Sequence, residues 1–267
     1  MFSVVLCLFY NYFCVIMSIN NLFYPYTVDN VHPGFSIDSV ILSFHKKKLR
    51  VLLNQFNTNK YWQLPGGFML KTENSDEAAV RVLAQRTGLT GVFLKQFYLF
   101  SDPKRTDIGL NAEYLKKNNL SEEDERWFLQ RYVTLGYYAF VKHDNVKLSF
   151  ADKDAAKWFD VQNLPMLYSD HENIIKMALS TIRSLLTLLP IGYELLPEKF
   201  AISELRRIYE IILDKPLDRR NFQRKVLASG LIIQLDEVKN TSPYNPPILY
   251  SFRKDIENIT DFSVFMM

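Results

Sequence analysis

Pro190 divides this chain into two stretches of different grammar. The segment before it, "SDHENIIKMALSTIRSLLTLL" (Ser169–Leu189), spaces Ile174, Ile175, Met177, Ala178, Ile182, Leu185 and Leu186 as one face of an amphipathic helix, with Ser169 or Asp170 as its cap. A proline cannot continue that helix, and "PIGYELLPEKF" follows, so a domain boundary falls there. The expected plan is a first domain over 20–165, a linking helix over 166–190, a second domain over 191–256 and a tail over 257–267. With 267 residues, 48% of them hydrophobic, the chain has enough apolar side chains for folded cores in both.

The first stretch reads as mixed strand and helix. "SIDSVILSF" (Ser36–Phe44) and "LRVLLNQF" (Leu49–Phe56) are apolar, β-branched runs separated by "HKKK", a hairpin pattern. "VFLKQFYLF" (Val92–Phe100), "RYVTLGYYAFV" (Arg131–Val141) and "KWFDVQNLP" (Lys157–Pro165) supply further strands, which together predict an α+β sandwich. The polar segment Ser101–Gln130 is long for a plain connection, so it is either a functional insertion or a solvated surface helix with loops.

Both cysteines, Cys7 and Cys14, lie in the apolar opening "MFSVVLCLFYNYFCVIM", which excludes a disulfide scaffold or a thiolate zinc site for the rest of the chain. That opening lacks the basic start and small-residue cleavage site of a secretory signal and is short for a membrane span. Translation is expected to start at Met17, with residues 1–16 a non-native or disordered extension, and the protein to be cytoplasmic with no membrane partner.

The second stretch has a different order. "AISELRRIYEIILD" (Ala201–Asp214) sets Ile202, Leu205, Ile208 and Ile212 on one face of a helix, and Pro216 disfavours helical geometry at Lys215. Asp218 can cap a second helix, "DRRNFQRKVLASG", that holds Phe222 and Val226 inward and stops at Gly230. Two strands follow, "LIIQLDE" and "ILYSFRKD", joined by "VKNTSPYNPP". Helix, turn, helix, strand, loop, strand is the order of a winged helix-turn-helix.

The formal net charge of +3 is too mild to imply a nucleic-acid partner, but its distribution is uneven. Residues 199–225 hold eight Lys or Arg against four acids, so the rest of the chain is slightly acidic. On the second helix Arg220, Gln223 and Arg224 stand at i, i+3 and i+4 and project from one side. Arginine can grip guanine edges and glutamine adenine, while Arg219 and Lys225 neutralise phosphates. With Asn221 on the same helix and Lys239 in the wing, these are the candidate contacts to double-stranded operator DNA. A solvated basic face or a protein-contact module is the competing reading.

Within "GGFMLKTENSDEAAVRVLAQRTGL" (Gly66–Leu89), Gly67, Glu73, Arg81, Gly88 and Leu89 stand in a fixed spacing, introduced by "WQLPGG" (Trp62–Gly67). The chain here resembles the Nudix family, whose box reads Gly, five residues, Glu, seven residues, Arg-Glu-apolar-any-Glu-Glu-any-Gly-apolar. The frame fits without a gap, but Val82, Gln85 and Arg86 stand where that family carries its three carboxylates. Magnesium needs hard oxygen ligands, and here a valine offers none, a glutamine a weak neutral one and an arginine a positive charge. Asp76 and Glu77 remain, at a helix start where the macrodipole favours acids anyway.

Together with the second stretch, the chain is similar to the Nudix-related transcriptional regulators. That resemblance implies a Nudix-like α/β/α sandwich with a mixed sheet followed by a winged helix-turn-helix. It also implies a homodimer, no catalytic residues, no metal, no cofactor, and a small-molecule effector that is a sugar or a nucleotide-sugar such as ADP-ribose. A pyrophosphohydrolase with metal on Glu73 and acids outside the box is the enzyme alternative. Candidate ligand contacts are Trp62, Glu73, Arg81, Lys104, Arg105 and His171. Trp62 is equally readable as a core aromatic and His171 as a capping or packing residue, while His32, His45 and His143 have no metal-ligand spacing.

Overall fold

A computed structural model of the chain describes residues 31–55, 60–118, 122–143, 155–186, 195–239 and 246–253. Residues 1–16, the tail 257–267, Pro190 and positions 240–245 of the wing loop lie outside the described residues. The chain forms two compact units: the first takes the described residues up to Leu42 with Arg50–Ala139 and those from Asp144 to Ala178, and the second takes Ser43–Leu49, which is the tip of the first hairpin, Phe140–His143 and the described residues from Leu179 on.

The first unit is built on a sheet that starts with the hairpin of β1 (Val31–His45) and β2 (Lys48–Gln55). Both faces of this hairpin are covered, since the neighbours Val40 and Ile41, and Val51 and Leu52, are all fully buried. The turn between them is Lys46–Lys47 alone, and both residues have positive φ, 48° and 67°. A two-residue turn of this kind matches the twist of the strands, but it asks two side-chain-bearing residues to adopt the left-handed region.

β3 (Gly66–Leu70) pairs antiparallel with β1, β4 (Lys95–Phe100) with β5 (Val133–Phe140), and β6 (Ala155–Asp160) with β2. The strand order is β4-β5-β1-β2-β6, with β3 added on β1. An isolated parallel bridge outside these strands joins Trp62 and Leu167.

Helix α1 (Ser75–Thr87) follows the box loop. Asn74 caps it by accepting from the backbone of Asp76 and Glu77, and Glu77 returns a bond to the backbone of Asn74. Gly88 ends it in the left-handed conformation, at φ 70°. Ala78 and Ala79 are small enough to bring the helix onto Ile37 of β1 and Leu135 and Tyr137 of β5. The insertion after β4 holds two helices, α2 (Ile108–Asn118) and α3 (Glu122–Leu129). They are tied by the Asn111 side chain donating to the Phe128 carbonyl over 2.7 Å.

α4 (His171–Leu185) buries Ile174, Ile175, Ala178, Ile182 and Leu186. Met177, expected on that face, is 37% exposed, because position 177 turns away from the stripe that 174, 178 and 182 define. No described helix is long and apolar enough to cross a membrane.

In the second unit β7 (Phe200–Ala201) leads into α5 (Ile202–Leu213), followed by α6 (Arg219–Ala228), β8 (Ile232–Val238) and β9 (Ile248–Phe252). The strands form a three-stranded antiparallel sheet in the order β7-β9-β8. Leu205, Ile208 and Ile212 of α5, Phe222 of α6, Phe200, Ile232 and Tyr250 are its buried side chains. Asp214 closes α5 with a positive φ of 53°. The turn is then held by α5 itself: Glu210 accepts from the Leu217 N–H at 3.0 Å and Arg206 donates to the Leu217 carbonyl at 3.1 Å. Asp218 caps α6 through the Asn221 N–H at 2.7 Å. This is a winged helix-turn-helix.

Replacing Lys46 with Asn and Lys47 with Gly removes the left-handed strain of the hairpin turn. The double variant is expected to be more stable by about 1 kcal/mol in a urea titration. An unchanged or lowered midpoint contradicts the turn geometry.

Candidate ligand site and nucleic-acid interface

The box is held by a guanidinium. Arg81 donates from Nε and Nη2 to the two oxygens of Glu73, at 2.9 and 2.5 Å, from Nη2 to the Phe68 carbonyl at 2.7 Å and from Nη1 to Gln85 Oε1 at 2.9 Å. Glu73 also accepts from the Leu70 N–H at 2.7 Å. Burial alone would push the Glu73 carboxyl up, but the bonds from Arg81 and Leu70 and the Arg81 charge outweigh it and hold it below the ordinary carboxylate value. This carboxylate is fully employed in shaping the loop between β3 and α1.

The three positions that lack carboxylates have structural partners of their own. Val82 is buried in the core, Gln85 receives Arg81, and Arg86 donates from Nε to the Gly66 carbonyl at 2.7 Å. The Arg86 carbonyl in turn accepts from Asn54 Nδ2 at 2.8 Å. Asp76 accepts from the Tyr137 hydroxyl at 2.6 Å, and Glu77 closes the capping box. The fold implies a divalent metal on α1, but the residues present do not fit one. An aliphatic, a tethered amide and a guanidinium occupy the ligand positions, and the carboxylates nearest to them have other partners. Among the described residues no three His, Cys, Asp or Glu side chains group as metal ligands.

Beside this helix a cavity of about 140 Å³ opens between β1, β3 and the insertion, room for several water molecules. Its charged lining is Asp38, Arg86 and Arg105. Asp38 lies over Gly66, its cross-strand partner, so closely that a Cβ on that glycine would sit 2.1 Å from the carboxylate. The glycine is therefore what lets a buried acid face the cavity. Arg105, from the insertion, forks onto Asp170 at 3.0 and 3.1 Å and lies 3.8 Å from Asp38. Tyr168, its hydroxyl pushed by burial to about 12, donates to Asn111 of α2 and so closes the far wall. The ring of Phe68 meets Trp127 and Tyr132 at centroid distances of 5.2 and 5.1 Å, an aromatic seam that docks α3 on β3.

His171 starts α4 and points its ring into the same cavity. Nδ1 accepts from the Leu64 N–H at 2.9 Å, so the proton of the neutral ring is on Nε2, which faces Asp38 at 3.9 Å. Burial pushes its pKa below the ordinary 6.5, aided by Arg105 and opposed by Asp38 and Asp170.

Of the residues singled out from sequence, Arg105 and His171 line the cavity. Lys104 lines an open groove next to it, with Pro103, Asp107 and Asn173. Trp62 instead packs edge-on against Phe159, with Lys157 Nζ 5.7 Å from its ring centre, and its backbone pairs with Met166 and Tyr168. Glu73 and Arg81 are occupied with each other. Asp38, Asn111, Tyr132 and Tyr168 were not singled out. For Asp38 the signal was present, as a lone carboxylate inside the apolar run "SIDSVILSF".

On α6, Phe222 is buried against Tyr209 at a ring distance of 5.3 Å, while Arg219, Arg220, Asn221, Arg224 and Lys225 are exposed and Gln223 half-buried. Arg224 donates to Asn221 Oδ1 at 3.0 Å, which sets its fork along the helix. Lys239, expected as a wing contact, pairs with Glu204 of α5 at 2.8 Å. Lys199 pairs with Glu237 at 2.7 Å. Among the described residues α6 thus presents a row of cations to solvent.

Because His171 titrates lower when folded than when unfolded, its contribution to stability is complete above pH 6.5 and is lost as pH falls below it. Chemical denaturation at pH 7.5 and 5.5 should show this loss, with a slope of up to about 1.4 kcal/mol per pH unit. His171→Asn, which keeps an acceptor for the Leu64 N–H, should reduce the loss. An equal loss in both proteins refutes the neutral, buried imidazole.

The NUDIX domain family model matches residues 34–178, and that of the NrtR DNA-binding winged helix domain matches residues 192–252. The ADPR responsive transcriptional repressor NtrR of Acinetobacter baylyi is 27% identical over 233 residues, 84% of each chain. The ADP-ribose pyrophosphatase of Methanocaldococcus jannaschii is 28% identical over 149 residues, 55% of this chain and 73% of that protein. The crystal structure of Shewanella oneidensis NrtR complexed with a 27mer DNA superposes with a TM-score of 0.63 at 25% identity, covering 84% of this chain and 95% of that one. With the gap-free box on β3 and α1 and a matched domain that spans more than half of its length, the chain belongs to the Nudix family, and it carries an NrtR-type DNA-binding winged helix domain at its C-terminal end.

Proposed function

We propose that this protein is an ADP-ribose-responsive transcriptional repressor that binds operator DNA as a homodimer and whose Nudix domain takes up the effector without hydrolysing it. The observation that carries the reading is the fate of the box: its frame is intact, its three ligand positions hold Val82, Gln85 and Arg86, and the same chain presents the basic helix α6. The Acinetobacter relative, similar along both domains, is described as an ADPR responsive repressor, and the Methanocaldococcus relative of the Nudix part as an ADP-ribose pyrophosphatase. Both point to ADP-ribose and neither to a plain sugar.

The hydrolase alternative needs Glu73 as a metal ligand, yet both oxygens of that carboxylate accept from Arg81 and one also from Leu70. Coupling can run along α4. His171 at its first residue, and Asp170 just before it, belong to the cavity's charged cluster, while Arg183 near its last turn donates to the Ile212 carbonyl at the end of α5 at 2.8 Å. An effector that binds one setting of this helix better by about 1–3 kcal/mol shifts the spacing of two recognition helices and so their fit to half-sites about one DNA turn apart.

Fluorescence anisotropy with the DNA upstream of the gene tests this. The native protein should bind, and ADP-ribose should release it. Arg220→Ala and Arg224→Ala should weaken binding by about 1–3 kcal/mol and relax base preference, whereas Lys225→Ala should lower affinity evenly across sequences. Absence of binding with and without ADP-ribose rejects the repressor reading, and three silent variants reject α6 as the DNA face.

A further inference from the structure

Asp38 is the carboxylate of the cavity lining, brought there by β1 with its side chain only 8% exposed. Burying an ionised carboxylate is costly unless donors satisfy its lone pairs. Among the described residues its oxygens accept no hydrogen bond: His171 Nε2 stands 3.9 Å from Oδ1, and Arg105 Nη2 stands 3.8 Å from Oδ2. Both donors are held from behind, His171 at Nδ1 by the Leu64 N–H and Arg105 by its fork on Asp170. Neither reaches the acid without giving up those bonds.

The two separations are alike, too long for a direct hydrogen bond and wide enough for one oxygen between. A hydroxyl oxygen about 2.8 Å from both His171 Nε2 and Asp38 Oδ1 accepts from the first and donates to the second. Another does the same between Arg105 Nη2 and Asp38 Oδ2. The two oxygens of one carboxylate are spaced much like hydroxyls on neighbouring carbons. The charge balance agrees: Arg105 and Asp170 neutralise each other and Asp38 stands against Arg86, which leaves the lining no excess charge for an anion. A carboxylate is also the acceptor that dinucleotide-binding folds offer to a ribose hydroxyl.

Size narrows the class further. The 140 Å³ of this cavity is well below the roughly 300–1,000 Å³ of a pocket that encloses a whole drug-sized ligand, so it takes a single ring. In ADP-ribose the adenosine ribose is substituted at both ends, by the base and by the diphosphate. The terminal ribosyl group is attached through one carbon only and can enter by its free edge.

We propose that Asp38, with His171 Nε2–H and Arg105, clamps a vicinal diol, and that this diol belongs to the terminal ribosyl group of the effector. The proposal rests on the reading of ADP-ribose as that effector. His171 opens α4 and Asp170, directly before it, holds Arg105, so the clamp ties β1 to the start of α4. The ligand thus meets the coupling helix through its sugar.

Isothermal titration of the full chain tests this with ADP-ribose, its analogue carrying 2-deoxyribose at the terminal position, ADP and free ribose, on the native protein and on Asp38→Asn. The substitution keeps the shape of the side chain but turns one acceptor oxygen into a donor. The native protein should bind ADP-ribose about tenfold or more tightly than the deoxy analogue or ADP, as expected for hydrogen bonds to a charged group. Asp38→Asn should abolish that preference while leaving the Kd for ADP within about twofold, whereas a merely structural Asp38 would affect every ligand alike. Equal native affinity for ADP-ribose and its deoxy analogue, or equal losses for ADP and ADP-ribose in the variant, overturns the proposal and leaves the effector reading standing. If ADP-ribose does not bind but free ribose does, with the same dependence on Asp38, the diol clamp stands and the ADP-ribose reading falls. If none of the four binds, both fall. Should Asp38→Asn not fold, the native protein's choice between ADP-ribose and the deoxy analogue decides the matter.

Discussion

The Arg81 guanidinium is the interaction on which the Nudix domain's remaining architecture depends. It reaches the carboxylate of Glu73, the carbonyl of Phe68 and the amide of Gln85, and thereby binds strand β3, the loop after it and helix α1 into one piece. Such a charge-assisted, bidentate pair fixes geometry as well as energy. Here the arrangement is complete with protein donors and acceptors, so the box keeps its form while Val82 turns to the core and Arg86 to the cavity. The first glycine of β3, Gly66, is required because Asp38 of β1 lies against it.

Arginine is used in this chain in two physically separate ways. In the first domain Arg81, Arg86 and Arg105 are largely buried, with fixed partners, and they order a pocket. On α6 the arginines are exposed, anchored only by the Arg224–Asn221 bond, and can rearrange on a polyanion. A near-neutral total charge conceals both uses.

Much of the fold was legible from periodicity and punctuation. The β1–β2 hairpin, the buried stripe of α4 and the order of elements after Phe200 follow from apolar spacing, caps and breakers that act locally, while α1 was legible through the spacing of the Nudix-like box. Strand ends were less legible: β4 begins at Lys95, three residues after the apolar run does, because Val92–Leu94 does not enter the ladder. β3 was hidden by its two glycines, which weaken a strand signal, although Gly66 is required beneath Asp38.

The site was legible only in part. The box frame and Arg105 could be read because they are chemistry at recognisable spacing or in an unusually polar insertion. Asp38, Asn111, Tyr132 and Tyr168 come from four separate segments, and nothing local says that their side chains converge. Between a ligand contact and a core aromatic the sequence does not choose for Trp62, because its neighbours Phe159 and Lys157 arrive from β6, a long-range pairing that composition does not encode. Lys239 was expected from its place in the wing, and nothing local announced its pairing with Glu204 of α5.

A Nudix box whose three ligand positions hold Val82, Gln85 and Arg86 should leave a diphosphate substrate intact. The most direct measurement is AMP release from ADP-ribose by the purified full chain in excess magnesium, read by chromatography over hours. The expected result is no AMP above the enzyme-free control. Sustained AMP release that disappears in Glu73→Gln would contradict the account.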